Sequence, residues 1–439
     1  MTLTSASQQT SEFQALLEKL YAQNTHGSPL QKIRTNAWDH FLKLGLPSRI
    51  NDVYKYIPIR HLFAQSYTLP TPTSLKREQI ASHIYPECIQ SVLVFVNGCY
   101  QAELSDTSAL PKNLVISTLS EATRTYSALL NNQWTKSLKE ETDPFAALNG
   151  ALYSDGAFLY LPPKNIVEQP IQILQIIDAA NAPLLVMPRV HLFVGAQSEL
   201  SLATSTVVIS GSHYFMNQSI EIAIEDDAHV RYLQMACGET AEAWHLDAVR
   251  ATLKRNSTFK TLSLTNGGAT TRNDYRITLN GENAEASLSG LWMLSDKRES
   301  HTHVLMDHQA PNCRSLQMYK GVLNDFSRSS FEGKILVHQK AQKTDAFQLN
   351  NNLLLSDRAH ADSKPNLEIF ADDVKASHGA TIGQLDTEQL FYMKTRGFSD
   401  AEAKNLLVYS YCKELINLIP IPSVLAAMNK RAANYLIKV

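Results

Sequence analysis

The densest histidine cluster in this chain of 439 residues is His301-x-His303, with Asp307 and His308 following closely. In an extended strand, side chains two apart emerge on the same face, so His301 and His303 could reach one ion together. His308 would join them only by coming round a turn. Three imidazoles so placed would serve a metal-dependent enzyme; the same residues also suit a polar sheet face beside a corner. A second candidate is His378, in the run Lys375, Ala376, Ser377, His378, Gly379, Ala380. Glycine next to histidine at the end of an element lets a partner or ligand come close, and imidazole ligates iron or moves a proton near neutral pH. Cys313 precedes Arg314, a soft iron ligand beside a cation, or else a small buried hydrophobe. Cys237, next to Gly238, has the same two readings.

The signatures of the commonest catalysts are missing. The chain has no G-x-x-x-x-G-K-[ST] for ATP, no G-x-G-x-x-G opening a βαβ unit, no G-x-S-x-G elbow and no H-E-x-x-H. The acidic pairs Asp226-Asp227 and Asp372-Asp373 would support glycosidase-like chemistry only across a shared cleft. Five cysteines (Cys88, Cys99, Cys237, Cys313, Cys412) lie far apart with no C-x-x-C, so neither a disulfide framework nor a local zinc or cluster knuckle is encoded. Forty basic against 42 acidic side chains leave a formal charge of -2, which predicts no general attraction to nucleic acid or anionic membrane. Met1–Ser11 lacks the basic and apolar segments of a secretory signal, and the apolar stretch Leu415–Met428 is broken by Asn417, Pro420, Pro422 and Ser423. These features lead us to expect a cytoplasmic protein.

Three regions must position the candidate residues. Residues 1–85 read as helical: Phe13, Leu16, Leu17 and Leu20 recur at helical spacing, and Ile33–Leu44 forms a second helix that Gly45 and Pro47 stop. The segment Leu69–Ser74, with Pro70 and Pro72, reads as the linker out of it. Residues 86–378 change to short strands with period-two alternation, such as Ser219–Ile224, Tyr275–Leu279 and Lys334–Val337, punctuated by turns such as Asn266-Gly267-Gly268 and Asn280-Gly281. So many short strands without helices from 255 to 378 favour a solenoid over a sandwich or a cupin-like barrel, although no fixed-length repeat is visible. The run Asn350–Asn352 agrees, since asparagines stack between coils. Residues 379–439 return to helix. Asp386 caps a helix that Gly397 ends, and Ser399 with Glu402 forms a capping box for the next. This pair has the outline of a helix-turn-helix but only Lys394, Arg396 and Lys404 for phosphates, so it reads as a partner-docking hairpin or as core packing.

The residues also carry a family resemblance. Ala341–Ala346, Asn352–Ser356, Ala361–Pro365, Leu367–Lys375, Ser377–Asp386 and Leu390–Gly397 form a long ordered string that resembles the SufB/SufD family of iron–sulfur cluster assembly scaffolds. Ser315, Gln317, Tyr319, Lys320 and Gly321 match that family's SxQxYKG pattern, and Arg272, Asn273, Asp274 and Leu279–Gly281 also fit. Near the front, Arg34, Ala37, Phe41, Gly45, Leu46, Pro47, Arg49, Tyr54, Lys55 and Tyr56 are similar to an element more typical of its SufD branch, with Tyr54 where tryptophan is expected.

The resemblance implies a right-handed parallel β-helix core flanked by helical regions. It implies a non-catalytic scaffold subunit of a SufBCD complex, pairing with SufB or with a second copy of itself. The ATPase SufC would dock on the C-terminal helices, with Phe391, Tyr392 and Gly397 as contacts. It also implies that His378 is an iron or cluster ligand at the SufB interface, that a transient iron–sulfur cluster forms in the complex, and that the chain alone holds no tightly bound cofactor. One departure stands out: the family's cysteine two residues before that histidine is Ala376 here, and a methyl group cannot ligate iron. Two other readings stay open, the metal-dependent enzyme using His301, His303 and His308, and an adaptor without a cluster role.

Overall fold

The computed structural model describes residues 6–24, 30–70, 75–180, 182–236, 242–266 and 268–435. Cys237, Gly238, Gly267, the latter part of the expected linker (71–74) and residues 1–5 lie outside that set. The helical openings follow the pattern of apolar residues. Ala6–Asn24 buries Phe13, Leu17 and Leu20, and Gln31–Leu44 buries Ala37 and Phe41. Gly45, at φ 69°, ends the second helix by donating its N–H to the Phe41 carbonyl.

From Val92 onward the chain builds two long sheets. Sheet I runs in space through Cys99–Asp106, Val92–Val96, Ile171–Asp178, Glu199–Ser210, His229–Ala236, Thr258–Thr265, Glu285–Leu294, Arg314–Leu323, Thr344–Leu354 and Val374–Gly383. Sheet II runs from Val115–Thr118 through Ala157–Leu161, Arg189–Val194, Tyr214–Ile224, Trp244–Leu253, Thr270–Leu279, Glu299–His308 and Arg328–Val337 to His360–Ile369. Only the first pairing in each sheet is antiparallel; thereafter the chain alternates between the sheets and each strand pairs in parallel with the one a coil away. The fold is a two-sheeted parallel β-helix.

The missing sequence repeat has a geometric cause. Trp244 sits opposite Thr270, Thr270 opposite Glu299, Glu299 opposite Arg328 and Arg328 opposite His360, which are steps of 26, 29, 29 and 32 residues. Strand register is kept while the corners absorb the variation. One corner recurs nonetheless: Gln197, Asp227, Asn256, Asn283, Asn312 and Lys343 all take φ between 56° and 60°. Asn and Asp tolerate this left-handed region because their short polar side chains bond locally. Each residue passes its N–H to the next coil: Asp227 to Arg255 O, Asn256 to Glu282 O, Asn283 to Pro311 O and Asn312 to Gln342 O. The Asn256 amide adds a bond to Asp227 (2.8 Å), and Asn283 one to Asn256 (3.2 Å). Asn350 and Asn352, in contrast, point inward from a strand and bond to each other (2.9 Å).

The three largest apolar clusters form layers. Between the sheets lie Leu202, Val249, Phe259, Tyr275, Val304, Phe331 and their neighbours. The outer face of sheet II, through Phe215, Trp244 and Leu246, is covered by the N-terminal helices. The outer face of sheet I, through Leu262, Leu291, Met293 and Val322, is covered by Asp400–Ile416 and Pro422–Ala433, which contribute Val408, Cys412, Leu415 and Val424. Three further helices, Leu119–Thr125, Ser127–Glu140 and Pro144–Leu152, belong to the layer on sheet II. Nothing in the reading of the sequence picked these out. Pro144–Leu152 is apolar all round and wholly buried, so it has no amphipathic stripe to betray it.

Candidate functional site

The two sheets end together, and their last strands are paired on one side only. Val374–Gly383 bonds to Thr344–Leu354, and His360–Ile369 to Arg328–Val337, leaving two adjacent sheet edges free among the described residues. A row of unpaired backbone groups on an edge is a template for another chain. His378 lies in the middle of the last strand, in register with Gln348 and, one coil further in, Gln317. Val374 and Ala376 on the same side pack against the inter-sheet core, so alternation turns His378 toward the interior side of its strand. There the next coil is absent, and the imidazole is exposed. A Cβ on Gly379 would meet Leu349 Cδ1 at 3.1 Å, so the histidine's neighbour lies close on the strand behind.

Cys313 is not at this edge. It sits at the corner before Arg314–Leu323, two strands inward in sheet I, wholly buried, with its thiol donating to the Gly281 carbonyl (3.2 Å). Burial pushes that thiol up to about 11, so in the folded chain it stays protonated and hydrogen-bonded inside the corner. Cys88 and Cys412 are likewise buried and pushed up to about 12, chiefly by desolvation.

The structure does not unite the three clustered histidines. His301 and His303 do share a strand face, but each is engaged: His301 Nδ1 with Ser330 Oγ (2.7 Å) and Nε2 with Glu299 (3.1 Å), and His303 Nδ1 with Asp274 Oδ2 (2.9 Å). His308 has the opposite parity, shares the inner face with Val304 and Met306, and bonds to Ser315 Oγ (2.8 Å). Burial lowers its imidazole to about 4. Among the described residues no group of three His, Cys, Asp or Glu side chains is placed to hold a metal ion. The odd spacing between 303 and 308 within one continuous strand is what separates His308 from the other two.

The helix Thr387–Thr395 has no buried residue. Asp386 caps it by accepting from Glu388 and Gln389, and Gly397, at φ 93°, supplies the tight reversal into the capping box of Ser399 and Glu402. Phe391 and Tyr392 are 70% and 58% exposed, and Phe398 at the turn is 42% exposed. Three large aromatic side chains in water on a rigidly capped hairpin make an apolar contact surface. The following helix is anchored by Ala403, Val408, Cys412 and Leu415, so the hairpin projects from a fixed base.

The sequence reading missed a buried charge network behind the N-terminal layer. Arg250 bonds to Glu141 (2.8 Å) and Asp274 (2.7 Å), and Arg272 to Asp143 (2.9 Å) and Asp274 (2.6 Å). Burial alone would raise the Asp274 carboxyl, but Arg272, Arg250 and His303 together hold it well below the usual range. The signal was present as charges alternating with apolar residues, Arg250 among Val249 and Ala251, and Arg272-x-Asp274. Beside the network is a cavity of about 300 Å³ floored by Arg189, Glu221 and Arg250. Arg189 pairs with Glu221 and Asn149, and Arg250 with Glu141, so the floor's charges neutralise one another. The network fastens the helices Ser127–Glu140 and Pro144–Leu152 to the sheet.

Comparison with known proteins agrees with this architecture. Residues 5–173 match the SufBD protein N-terminal region, and residues 175–411 match the SufBD core domain of the SUF system for FeS cluster assembly. The chain is 29% identical over 424 residues to an iron–sulfur cluster assembly SufBD family protein of Synechocystis, covering 94% of this chain and 92% of that one. It is 28% identical over 378 residues to the iron–sulfur cluster assembly protein SufD of Escherichia coli, covering 85% of each. A chloroplastic protein of Arabidopsis thaliana is 27% identical over 420 residues, covering 93% of this chain and 86% of its own length. With the family's two regions side by side over residues 5–173 and 175–411, the chain belongs to the SufB/SufD family of iron–sulfur cluster assembly proteins.

Proposed function

We propose that this chain is a non-catalytic scaffold subunit of a cytoplasmic SufBCD-type assembly complex. It joins a SufB relative through the free edges of the two sheets and presents His378 to the joint as an iron or cluster ligand. The observation that carries this reading is the exposed imidazole on the interior side of a terminal strand that is paired on one side only. A partner that continues the sheets would bring its own side chains against that imidazole, and neutral imidazole is a good iron ligand. Ala376 beside it offers no second ligand, so a sulfur ligand comes from the partner. The capped hairpin with Phe391, Tyr392 and Gly397 is the docking surface for the ATPase SufC, a reading supported by the exposure of Phe391 and Tyr392 among the described residues. Among the described residues no helix is long and apolar enough to cross a membrane. A second copy of the chain is the competing occupant of the free edges.

The test is co-purification of this chain with its SufB and SufC candidates, as wild type and as His378→Ala, with iron and sulfide measured after anaerobic reconstitution. A complex that forms with both chains but holds a cluster only with wild type supports the ligand role. Equal loading without the imidazole reduces the chain to a mechanical scaffold, and failure to form any complex overturns the proposal.

A further inference from the structure

Residues 45–56 have no role in the sheet edges or the docking hairpin, yet they build a fixed loop. Gly45 reverses the chain out of the helix Gln31–Leu44. The Ser48 backbone N–H donates to the Asn51 side chain (2.9 Å), and the Asn51 N–H to the Ser48 carbonyl (3.0 Å). Tyr54 is wholly buried, donates its hydroxyl to Asp143 (2.6 Å) and has the Arg272 guanidinium 4.4 Å from its ring centre. Ile57 and Ile59 are buried behind it. The charges along this segment are mostly of one sign. Between residues 40 and 63, Lys43, Arg49, Lys55 and Arg60 stand against one acid, Asp52, in a chain whose net charge is -2.

The loop borders an open hollow of about 390 Å³ in the layer on sheet II, on the other side of the solenoid from the helices Asp400–Ile416 and Pro422–Ala433. Pro47, Ile59 and Phe63 form its buried side, and Arg49, Arg60 and His61 its exposed side. Among the described residues no Asp or Glu lines it, and no hydrogen bond, ion pair or ring contact engages those three polar side chains. Arg189, Arg250 and Arg272, in contrast, are all paired. Ile50, next to Arg49, is 93% exposed. Two unpaired guanidinium forks on a rigid frame are set for carboxylates, because little order is lost on pairing. A free phosphate would use the forks and leave Ile50 in water, and a membrane surface calls for a continuous apolar face rather than one isoleucine on a loop. We propose that this hollow, with Ile50 at its side, docks an acidic segment of a partner protein, whose carboxylates pair with Arg49 and Arg60 and whose apolar side chain covers Ile50. Charge complementarity selects the segment, and its place on the molecule leaves the sheet edges and the hairpin open to other partners.

The test uses the full chain and a fluorescein-labelled peptide, Glu-Leu-Glu-Glu-Leu-Glu, with its Gln-for-Glu counterpart as control, read by fluorescence anisotropy at low and high salt. Wild type is expected to bind the acidic peptide but not the control, and to bind it more weakly at high salt, which screens exposed charges. Arg49→Ala and Arg60→Ala are each expected to weaken binding about fivefold, the upper end for an exposed ion pair. Ile50→Ser is expected to weaken it about fivefold with the salt dependence unchanged, the effect of one partly covered apolar side chain. All three side chains are exposed, so the circular dichroism of the variants should match wild type. No binding by wild type overturns the inference, and so does unchanged affinity in both arginine variants. Displacement of the peptide by inorganic phosphate with Ile50→Ser unaffected marks a simple anion site and also overturns it, as does binding of phosphatidylserine vesicles in place of the peptide.

Discussion

Replacing Asp143 with alanine should detach the N-terminal helical layer from the solenoid. Asp143 is 5% exposed and uses both oxygens. Oδ1 accepts the N–H groups of Phe145 (2.9 Å) and Ala146 (3.0 Å), capping the buried helix Pro144–Leu152. Oδ2 accepts from the Tyr54 hydroxyl (2.6 Å) and from Arg272 (2.9 Å). Loss of the cap costs about 1 kcal/mol. Removing one partner of a buried pair costs about 3–5 kcal/mol, and the lower end applies because Arg272 keeps Asp274. The expected loss is about 4 kcal/mol. Asp143→Asn keeps an oxygen for the cap and should lose about half as much. Because layer and solenoid have separate apolar cores, the assay needs a local probe as well as a global one. Denaturant unfolding should be followed by circular dichroism, with hydrogen exchange read on peptides spanning 144–152 and 244–253. Faster exchange in 144–152 at denaturant concentrations where 244–253 stays protected is the expected result. A loss below about 1 kcal/mol with unchanged exchange would refute the assignment of the network as the fastening of this layer.

Burial raises the Asp247 carboxyl to about 7 although Gln234 bonds to it, so its protonated form is favoured in the folded chain. A raised folded value means stability that is full below the unfolded value near 4 and is lost as pH rises through about 7. Asp247→Asn should therefore gain on wild type by about 1.4 kcal/mol per pH unit between pH 5 and 7, read by urea unfolding at each pH. His308 and His245 act in the opposite sense: burial lowers both to about 4, so their contribution is complete above about 6.5 and is lost as pH falls toward 4. His308→Asn should flatten the acid side of the same profile. Gly333→Ala should destabilise by about 1–3 kcal/mol, since a Cβ there would lie 2.1 Å from Gln348 Nε2 inside the solenoid. Phe391→Ala with Tyr392→Ala should leave the melting temperature within about a degree while weakening ATPase binding at least tenfold, measured by calorimetry.

Local chemistry made much of this protein legible before any coordinates. The helix ends at Gly45, Asp386 and Ser399 are written in residues whose caps depend on neighbours one to four positions away. Strand alternation, the solenoid preference and the family string were equally local. The buried helix Pro144–Leu152 left no trace because periodicity needs one wet face, and it has none. The repeat was hidden because coils conserve register in space while corners vary in length.

The candidate site divides along the same line. His378 was visible as a residue type beside a glycine; that its strand is the last, with no coil beyond it, follows from counting pairings that only the folded chain makes. His301, His303 and His308 looked like a cluster because they are close in sequence, yet parity sends His308 to the other side of the sheet. The hydrogen bond from Tyr411 to Asn351 joins residues 60 positions apart, and the bond from Arg250 to Glu141 spans 109. Short-range steric and capping preferences are properties of the chain itself. Long-range pairing depends on which surfaces burial brings together, and that is settled only when all the coils have stacked.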